Sequence, residues 1–258
     1  MVTQAMPPPP AVKTPPLAKV NNGVPKPAPD QSFQILPGLR GGAWRAVIYA
    51  PGGIGKTTLS SLAPQPLLID LEDGSRFLDV PALIPAGWEQ LRATLYNEVL
   101  LAPYKTIIID TVTVAETWAL AWTLANVPHE SGHKVSRVEA YGYGKGYQHV
   151  YDTFLCLLAD CDAQIRAGRN VILVAHDCVA DVPNPVGENY IRYEPHLQSP
   201  KSGKASIRNR VIQWADYVLF LGYDVITQDG KGRGAGTRTI FTTERPDHIA
   251  KSRTAVES

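Results

Sequence analysis

The nine residues Ala50-Pro51-Gly52-Gly53-Ile54-Gly55-Lys56-Thr57-Thr58 constrain this chain more than any other feature. They follow an apolar run, Arg45–Ala50 (RAVIYA), and open a helix-like stretch from Lys56 to Ser61. A strand, a glycine loop and a helix in that order make a cradle for phosphate. Glycines let backbone N–H groups curl around oxygens, and the helix start adds positive partial charge. Pro51, Gly52, Gly53, Ile54, Gly55, Lys56, Thr57 and Thr58 are therefore expected to bind a nucleoside triphosphate. Lys56 is expected to reach the β/γ-phosphates, and the Thr57 hydroxyl to ligate Mg²⁺. The leading glycine of the Gly-x-x-x-x-Gly-Lys-Ser/Thr pattern is Ala50 here, a tolerable change where φ is negative.

Three more apolar runs read as strands: Pro66–Asp70 (PLLID), Thr106–Asp110 (TIIID) and Asn170–Ala175 (NVILVA). They are continuous rather than alternating, as parallel strands covered on both faces require. Helical patterns lie between them at Gly87 to Leu101, Val114 to Asn126 and Gly146 to Ala167. Tyr217–Ile226 and Thr237–Thr243, with an Asp229-Gly230 turn signal, predict an antiparallel hairpin at the sheet edge. The fold class is thus α/β, a mostly parallel sheet flanked by helices with a C-terminal antiparallel hairpin. Ten of the 22 prolines lie between Pro7 and Pro37. The reading is a Pro-rich disordered tail over residues 1–36 and one domain over 37–258.

Composition narrows the function. With 25 Lys+Arg against 24 Asp+Glu, a globally basic nucleic-acid binder is excluded, while a local basic patch is not. No apolar run reaches the ~18 residues of a membrane span, and no secretory pattern opens the chain. The three cysteines, Cys156, Cys161 and Cys178, form no Cys-x-x-Cys pair and are expected to be free thiols of a reducing, cytoplasmic compartment.

A metal-bound phosphate needs a carboxylate at a neighbouring strand end. Asp110, closing the run Thr106–Asp110, is the expected second Mg²⁺ contact. Hydrolysis also needs a group that orients or deprotonates water. Asp70 and Glu72 lie just past the second strand and point the same way if the chain stays extended. Glu72 is the expected base.

Together, the loop at Ala50–Thr58, Ile69-Asp70-Leu71-Glu72 and Ile109-Asp110-Thr111-Val112 resemble the RecA-type ATPase core. More narrowly, Tyr141-Gly142-Tyr143-Gly144-Lys145-Gly146-Tyr147, Ala175-His176-Asp177, Ala215-Asp216-Tyr217-Val218 and Ala250-Lys251-Ser252-Arg253 look like the small RecA-like proteins of bacteriophages. Those are described as ATP-dependent single-strand annealing proteins or phage nucleotide-binding proteins. The resemblance implies ATP and Mg²⁺ as cofactors and ATP hydrolysis coupled to DNA. It makes His176 a γ-phosphate sensor after the fourth strand. It makes Lys251 and Arg253 a basic pair that reaches the neighbouring subunit's site in a filament or ring. It implies single-stranded DNA as partner, with a single-strand-binding protein as a further one, in the host cytoplasm.

For DNA, the segment from Asp177 to Arg210 reads as a long irregular loop. It carries Arg192, Lys201, Lys204, Arg208 and Arg210 against Glu188 and Glu194, with Tyr190 and Tyr193 between. Gly132 to Lys145, with His133, Lys134, Arg137, Tyr141 and Tyr143, is a second candidate. The run Gly142-x-Gly144-x-Gly146 is no dinucleotide fingerprint, because no strand precedes it. The expected function is ATP-dependent single-strand binding that promotes annealing or exchange. A P-loop kinase acting on a small substrate and a helicase-type motor are the alternatives.

Overall fold

The computed structural model describes residues 41–201, 204–228 and 231–254. The expected tail over residues 1–36 and the Asp229-Gly230 turn lie outside these residues. The chain runs through β1 (Arg45–Ala50), α1 (Lys56–Ser61), β2 (Pro66–Asp70), β3 (Ala82–Leu83), α2 (Trp88–Tyr96) and α3 (Glu98–Leu101). It continues with β4 (Thr106–Asp110), α4 (Val112–Asn126), α5 (Lys145–Arg166), β5 (Asn170–Val182) and β6 (Tyr190–Pro195). It closes with α6 (Ile207–Trp214), β7 (Tyr217–Gln228), β8 (Lys231–Phe241) and β9 (Lys251–Ser252).

The strands order as β3-β2-β4-β5-β1-β7-β8, with β6 paired to β5 and β9 to β7. The pairs β2–β3, β2–β4, β4–β5, β5–β1 and β1–β7 are parallel. The β7–β8 hairpin is antiparallel at the edge, as expected. The architecture is α/β, a mostly parallel sheet flanked by helices with an antiparallel hairpin at its edge.

The continuous apolar runs have a direct physical reading. Successive strand residues face opposite sides of a sheet. Val47, Tyr49, Ile107, Ile109, Leu173 and Ala175 belong to the core that packs α2, α4, α5 and α6. Ala46, Ile48, Ile108, Ile172 and Val174 belong to a second core that takes in Ile54 and Leu59 beside α1. Each fully buried Ile or Leu side chain stabilises by ~1.5–3 kcal/mol, so both faces hold the sheet.

Two expectations change. The helix read over Gly87 to Leu101 is broken at Asn97, whose side chain accepts from the Leu100 N–H at 3.1 Å and starts α3. The segment from Asp177 to Arg210 is not an irregular loop. β5 runs on to Val182 and pairs antiparallel with β6, from Asp177 opposite Pro195 to Val182 opposite Tyr190. Arg208 and Arg210 then lie on α6. The alternation of half-buried and exposed residues along these strands is the mark of a hairpin with one wet face. Cys156, Cys161 and Cys178 are all free, and the described residues hold no cluster of three metal-ligating side chains. No helix among them is long and apolar enough to cross a membrane.

Candidate active site

Register brings four strand ends together. Ala50 lies beside His176, Asp70 beside Asp110, and Asp110 beside Val174. Because β5 sits between β1 and β4, His176 falls between the phosphate loop and the acids. In open α/β sheets, ligands bind at the carboxyl ends of strands. Here those ends wall a cleft of about 400 Å³ lined by Gly53, Gly55, Lys56, Glu72, Asp110 and His176, among others.

Gly53 and Gly55 hold φ of +76° and +106°, which side-chain-bearing residues rarely adopt. Ala50 is the last residue of an extended strand, so its Cβ introduces no strain. Lys56 is only 7% exposed. Its ammonium donates to the carbonyls of Ala50 at 2.9 Å and Pro51 at 3.0 Å. Burial holds Lys56 below the usual lysine range, opposed by the carboxylates of Asp110, Asp177 and Glu72. Phosphate oxygens are stronger acceptors than these carbonyls, so a bound phosphate would draw the ammonium away from them.

Thr57 Oγ1 donates to Asp110 Oδ2 at 2.5 Å. Burial pushes the Asp110 carboxyl up, and Glu72 and Asp70 add to that against the Thr57 hydrogen bond. A hydroxyl touching a buried carboxylate that has acidic neighbours fits Mg²⁺. The cation takes few protein oxygens and completes its shell with water and phosphates. Its charge would also relieve the crowding of acids.

Asp70 plays a different part from Glu72, because the chain does not stay extended beyond β2. The Asp70 carboxylate accepts from the N–H groups of Glu72 at 3.0 Å and Ser75 at 2.8 Å. Burial alone would raise its pKa; hydrogen bonds from Ser75, Glu72 and Gly74 outweigh that and hold it low. Asp70 therefore shapes the turn that presents Glu72. Glu72 Oε1 in turn accepts from Thr111 Oγ1 at 2.7 Å and lies 2.8 Å from His176 Nε2. A carboxylate only accepts, so that ring nitrogen carries the proton. The backbone N–H of His176 donates to Thr113 Oγ1 at 3.2 Å. Glu72, Thr111 and His176 are thus one hydrogen-bonded unit at the rim of the cleft.

The sequence model of the AAA domain family matches residues 42–254. The chain belongs to the AAA domain family. No curated protein matches it. Among solved structures it is similar to a KaiC-like protein from the hyperthermophilic archaeon Pyrococcus horikoshii OT3, with a TM-score of 0.42 and 12% identity over 77% of each chain.

Not every expected residue of this AAA domain gathers at the cleft. Lys251 and Arg253 lie at the other end of the sheet, where β9 pairs with the start of β7. The Lys251 ammonium donates to the carbonyls of Ile212, Gln213 and Ala215 at 3.0, 3.4 and 2.7 Å. Arg253 pairs with Asp216 at 3.1 Å and donates to the Gln213 carbonyl. Neither serves the site of its own chain.

The five basic residues expected to meet DNA also divide. Arg192 and Arg208 both pair with Glu194, which is 7% exposed, and Arg192 also meets Glu244. These two arginines close the β5–β6 hairpin onto α6 and are withdrawn from solvent. Lys201, Lys204 and Arg210 remain exposed. In the second candidate segment, Tyr141 is buried, with its hydroxyl on the Val127 carbonyl at 2.5 Å, while Tyr143 is fully exposed. Gly146 is required by packing, since an added Cβ would lie 2.2 Å from the Val138 carbonyl oxygen.

Two residues at the cleft and one behind its phosphate loop had no assigned role in the sequence reading. Thr111 is the N-cap of α4 as well as a donor to Glu72. A hydroxyl directly after a strand-end acid was the available signal. Phe77 lines the cleft with a 98% exposed ring, a free face for a nucleobase. Arg238, from β8, donates to the Ile54 carbonyl of the phosphate loop at 2.7 Å.

Proposed function

We propose that this chain is an ATP-dependent single-stranded DNA-binding recombination protein that promotes strand annealing or exchange. Nucleotide binding and hydrolysis are what the family and the RecA-like P-loop fold support. The observation that carries the hydrolytic reading is Glu72, held by Thr111 and His176 at the rim of the phosphate cleft. In this reading Lys56 draws the β/γ-phosphates against the loop amides. Glu72 orients the attacking water and takes its proton, and His176 reports the γ-phosphate to β5. Thr57 and Asp110 would hold Mg²⁺, which would neutralise charge on the phosphates.

The DNA reading is supported by the meeting of two segments far apart in sequence. Tyr143, Gly144 and Lys145 share a cleft of about 240 Å³ with Pro200, Lys204 and Ala205. An exposed tyrosine ring offers a stacking face, and Lys204 beside it neutralises phosphate, while the Lys145 ammonium meets Glu130 at 2.5 Å. The 22-residue α5 starts there behind Gly144, with no side-chain cap on its first N–H groups. Gln198 ties this platform to the nucleotide side. Its amide donates to the carbonyls of Tyr147 and Ala205, and its N–H to Glu116 of α4. The likeness of the Tyr141–Tyr147 segment to phage RecA-like annealing proteins points the same way.

The test is steady-state ATPase with and without single-stranded DNA, alongside DNA binding at several salt concentrations. The reading expects stimulation by single strands. Replacing Tyr143 and Lys204 with Ala should weaken binding and flatten its salt dependence. ATPase activity indifferent to DNA, with phosphate transferred to a small acceptor, would favour the kinase reading. For assembly, the proposal is a head-to-tail homo-oligomer in which Arg253 faces the next subunit's cleft. Arg253 is the half-exposed member of the basic pair.

A further inference from the structure

We infer that Arg238, on the edge strand β8, is a positioning residue of the phosphate loop; the inference rests on the nucleotide reading above. Its Nη1 donates to the Ile54 carbonyl oxygen at 2.7 Å, across 184 positions of sequence. In a trans peptide the carbonyl and the following N–H point in opposite directions. Gly53 and Gly55 line the cleft, whereas the Ile54 carbonyl faces Arg238. Holding that carbonyl away from the cleft therefore turns the Gly55 N–H into it, where loops of this kind meet the α/β-phosphates.

The loop needs such an anchor. Gly53 and Gly55 flank the peptide at positive φ, and glycine backbone reorients at little cost. The Ile54 side chain is 1% exposed and fixed in the core. Core burial thus pins one side of residue 54 and Arg238 the other. The contact is close, for a Cβ on Gly55 would lie 3.1 Å from Arg238 Nη1.

The arginine is also placed to leave its charge at the loop. Thr237 and Thr239 hold Asp224 at 2.5 and 2.7 Å on one face of β8. Arg238 alternates to the other face. Among the described residues it has no carboxylate partner within ion-pair distance.

The experiment uses the full chain with Arg238→Met, which keeps an unbranched stem but no donor, and Arg238→Lys, which restores a charged donor. MgADP and MgATP affinities are read by calorimetry, kcat and KM by steady-state assay, and folding by thermal unfolding. Arg238→Met should weaken both nucleotides by about tenfold, the loss of one charge-assisted hydrogen bond. KM should rise by a similar factor while kcat stays within about twofold, since the loop amides act in ground and transition states alike. Arg238→Lys should recover most of the affinity. The unfolding midpoint should not move, because Arg238 is exposed. Unchanged affinities in Arg238→Met would overturn the inference. So would a fall in kcat with both affinities intact, which would make Arg238 a group acting on the transition state. Failure of the wild-type chain to bind either nucleotide would overturn the underlying reading as well, and is seen without any variant.

Discussion

Lys56 and Lys251 sit at opposite ends of the same sheet, and both hand their ammonium protons to backbone carbonyls. Lys56 bonds two carbonyls and Lys251 three. Burial lowers the pKa of each. The acceptors differ. Those of Lys251 belong to the last turn of α6 and its C-cap residue Ala215, the negative end of a helix, so the lysine completes a cap. Those of Lys56 belong to a glycine loop beside a cleft, with Asp110, Asp177 and Glu72 drawing on its charge. Two lysines with similar bonds, one buried and one half-buried, thus differ in purpose. One terminates a helix; the other is held where an incoming anion can take it over.

The comparison breaks most visibly at Lys56. Lys56→Ala should weaken MgATP binding by more than about 100-fold, because the phosphates lose a buried counter-ion. The unfolding midpoint should stay level or rise, since a buried ammonium is removed. A lower midpoint would make Lys56 a structural cation like Lys251. Next in size is Glu72→Gln, which keeps shape and loses the carboxylate proposed as the base. Turnover should fall by roughly 10²–10⁴-fold with nucleotide affinity retained. Turnover at the wild-type rate would remove Glu72 from that role.

A second contrast, among the basic residues, sharpens the first. Arg208→Ala leaves Glu194 buried beside one arginine instead of two, and should destabilise the fold by about 3–5 kcal/mol in urea unfolding. Lys204→Ala should leave stability unchanged. Equal stabilities would mean that Arg208 is as free as Lys204. This contrast also shows what the sequence can carry. The phosphate loop is contiguous, so its glycines, Lys56 and Thr57 could be read directly. Asp110 could be read because a strand ended there. The Arg192–Glu194–Arg208 cluster needs the β5–β6 pairing and the return of α6, neither of which is written in the spacing of those residues. Arg238 is harder still, since its partner is a carbonyl 184 positions away. Lys251 and Arg253 stood out as a pair, but helix capping and reaching a neighbour use the same residue types.

Smaller, and dependent on pH, is the effect at Glu116. Burial pushes its carboxyl up to about 7, against the Gln198 N–H and Arg208, which lower it. The unfolded value is about 4.3. Between these two values the folded chain holds a proton that the unfolded chain has released. Stability therefore declines as pH rises through that window and levels off above about 7. Glu116→Gln keeps an acceptor for the Gln198 N–H and stays neutral. It should flatten that slope and stabilise by on the order of 2 kcal/mol at about pH 8. Unfolding midpoints at about pH 5 and pH 8 check it; parallel pH profiles of variant and wild type would refute it.

The smallest effect on the isolated chain belongs to Arg253, and it tests whether the far end of the sheet is purely structural. Its ion pair with Asp216 is half exposed, so Arg253→Ala should reduce stability by no more than about 1 kcal/mol. Lys251→Met should cost more, because three carbonyls at the end of α6 and its C-cap lose their donor. A guanidinium at the rim can act on chemistry only in the cleft of an adjoining copy, and a contact of that kind repeats head to tail. ATPase activity per chain should then rise with protein concentration, and Arg253→Ala should lose that rise while binding MgATP normally. Mixing decides between the two readings. Arg253→Ala lacks the reaching cation and Lys56→Ala lacks the site. A co-assembly of the two contains interfaces that join an intact site to an intact cation, and should regain activity that neither variant shows alone. If the two variants co-assemble and activity does not return, Arg253 belongs with Lys251 as part of the α6 cap, and the contrast between the two ends of the sheet is complete.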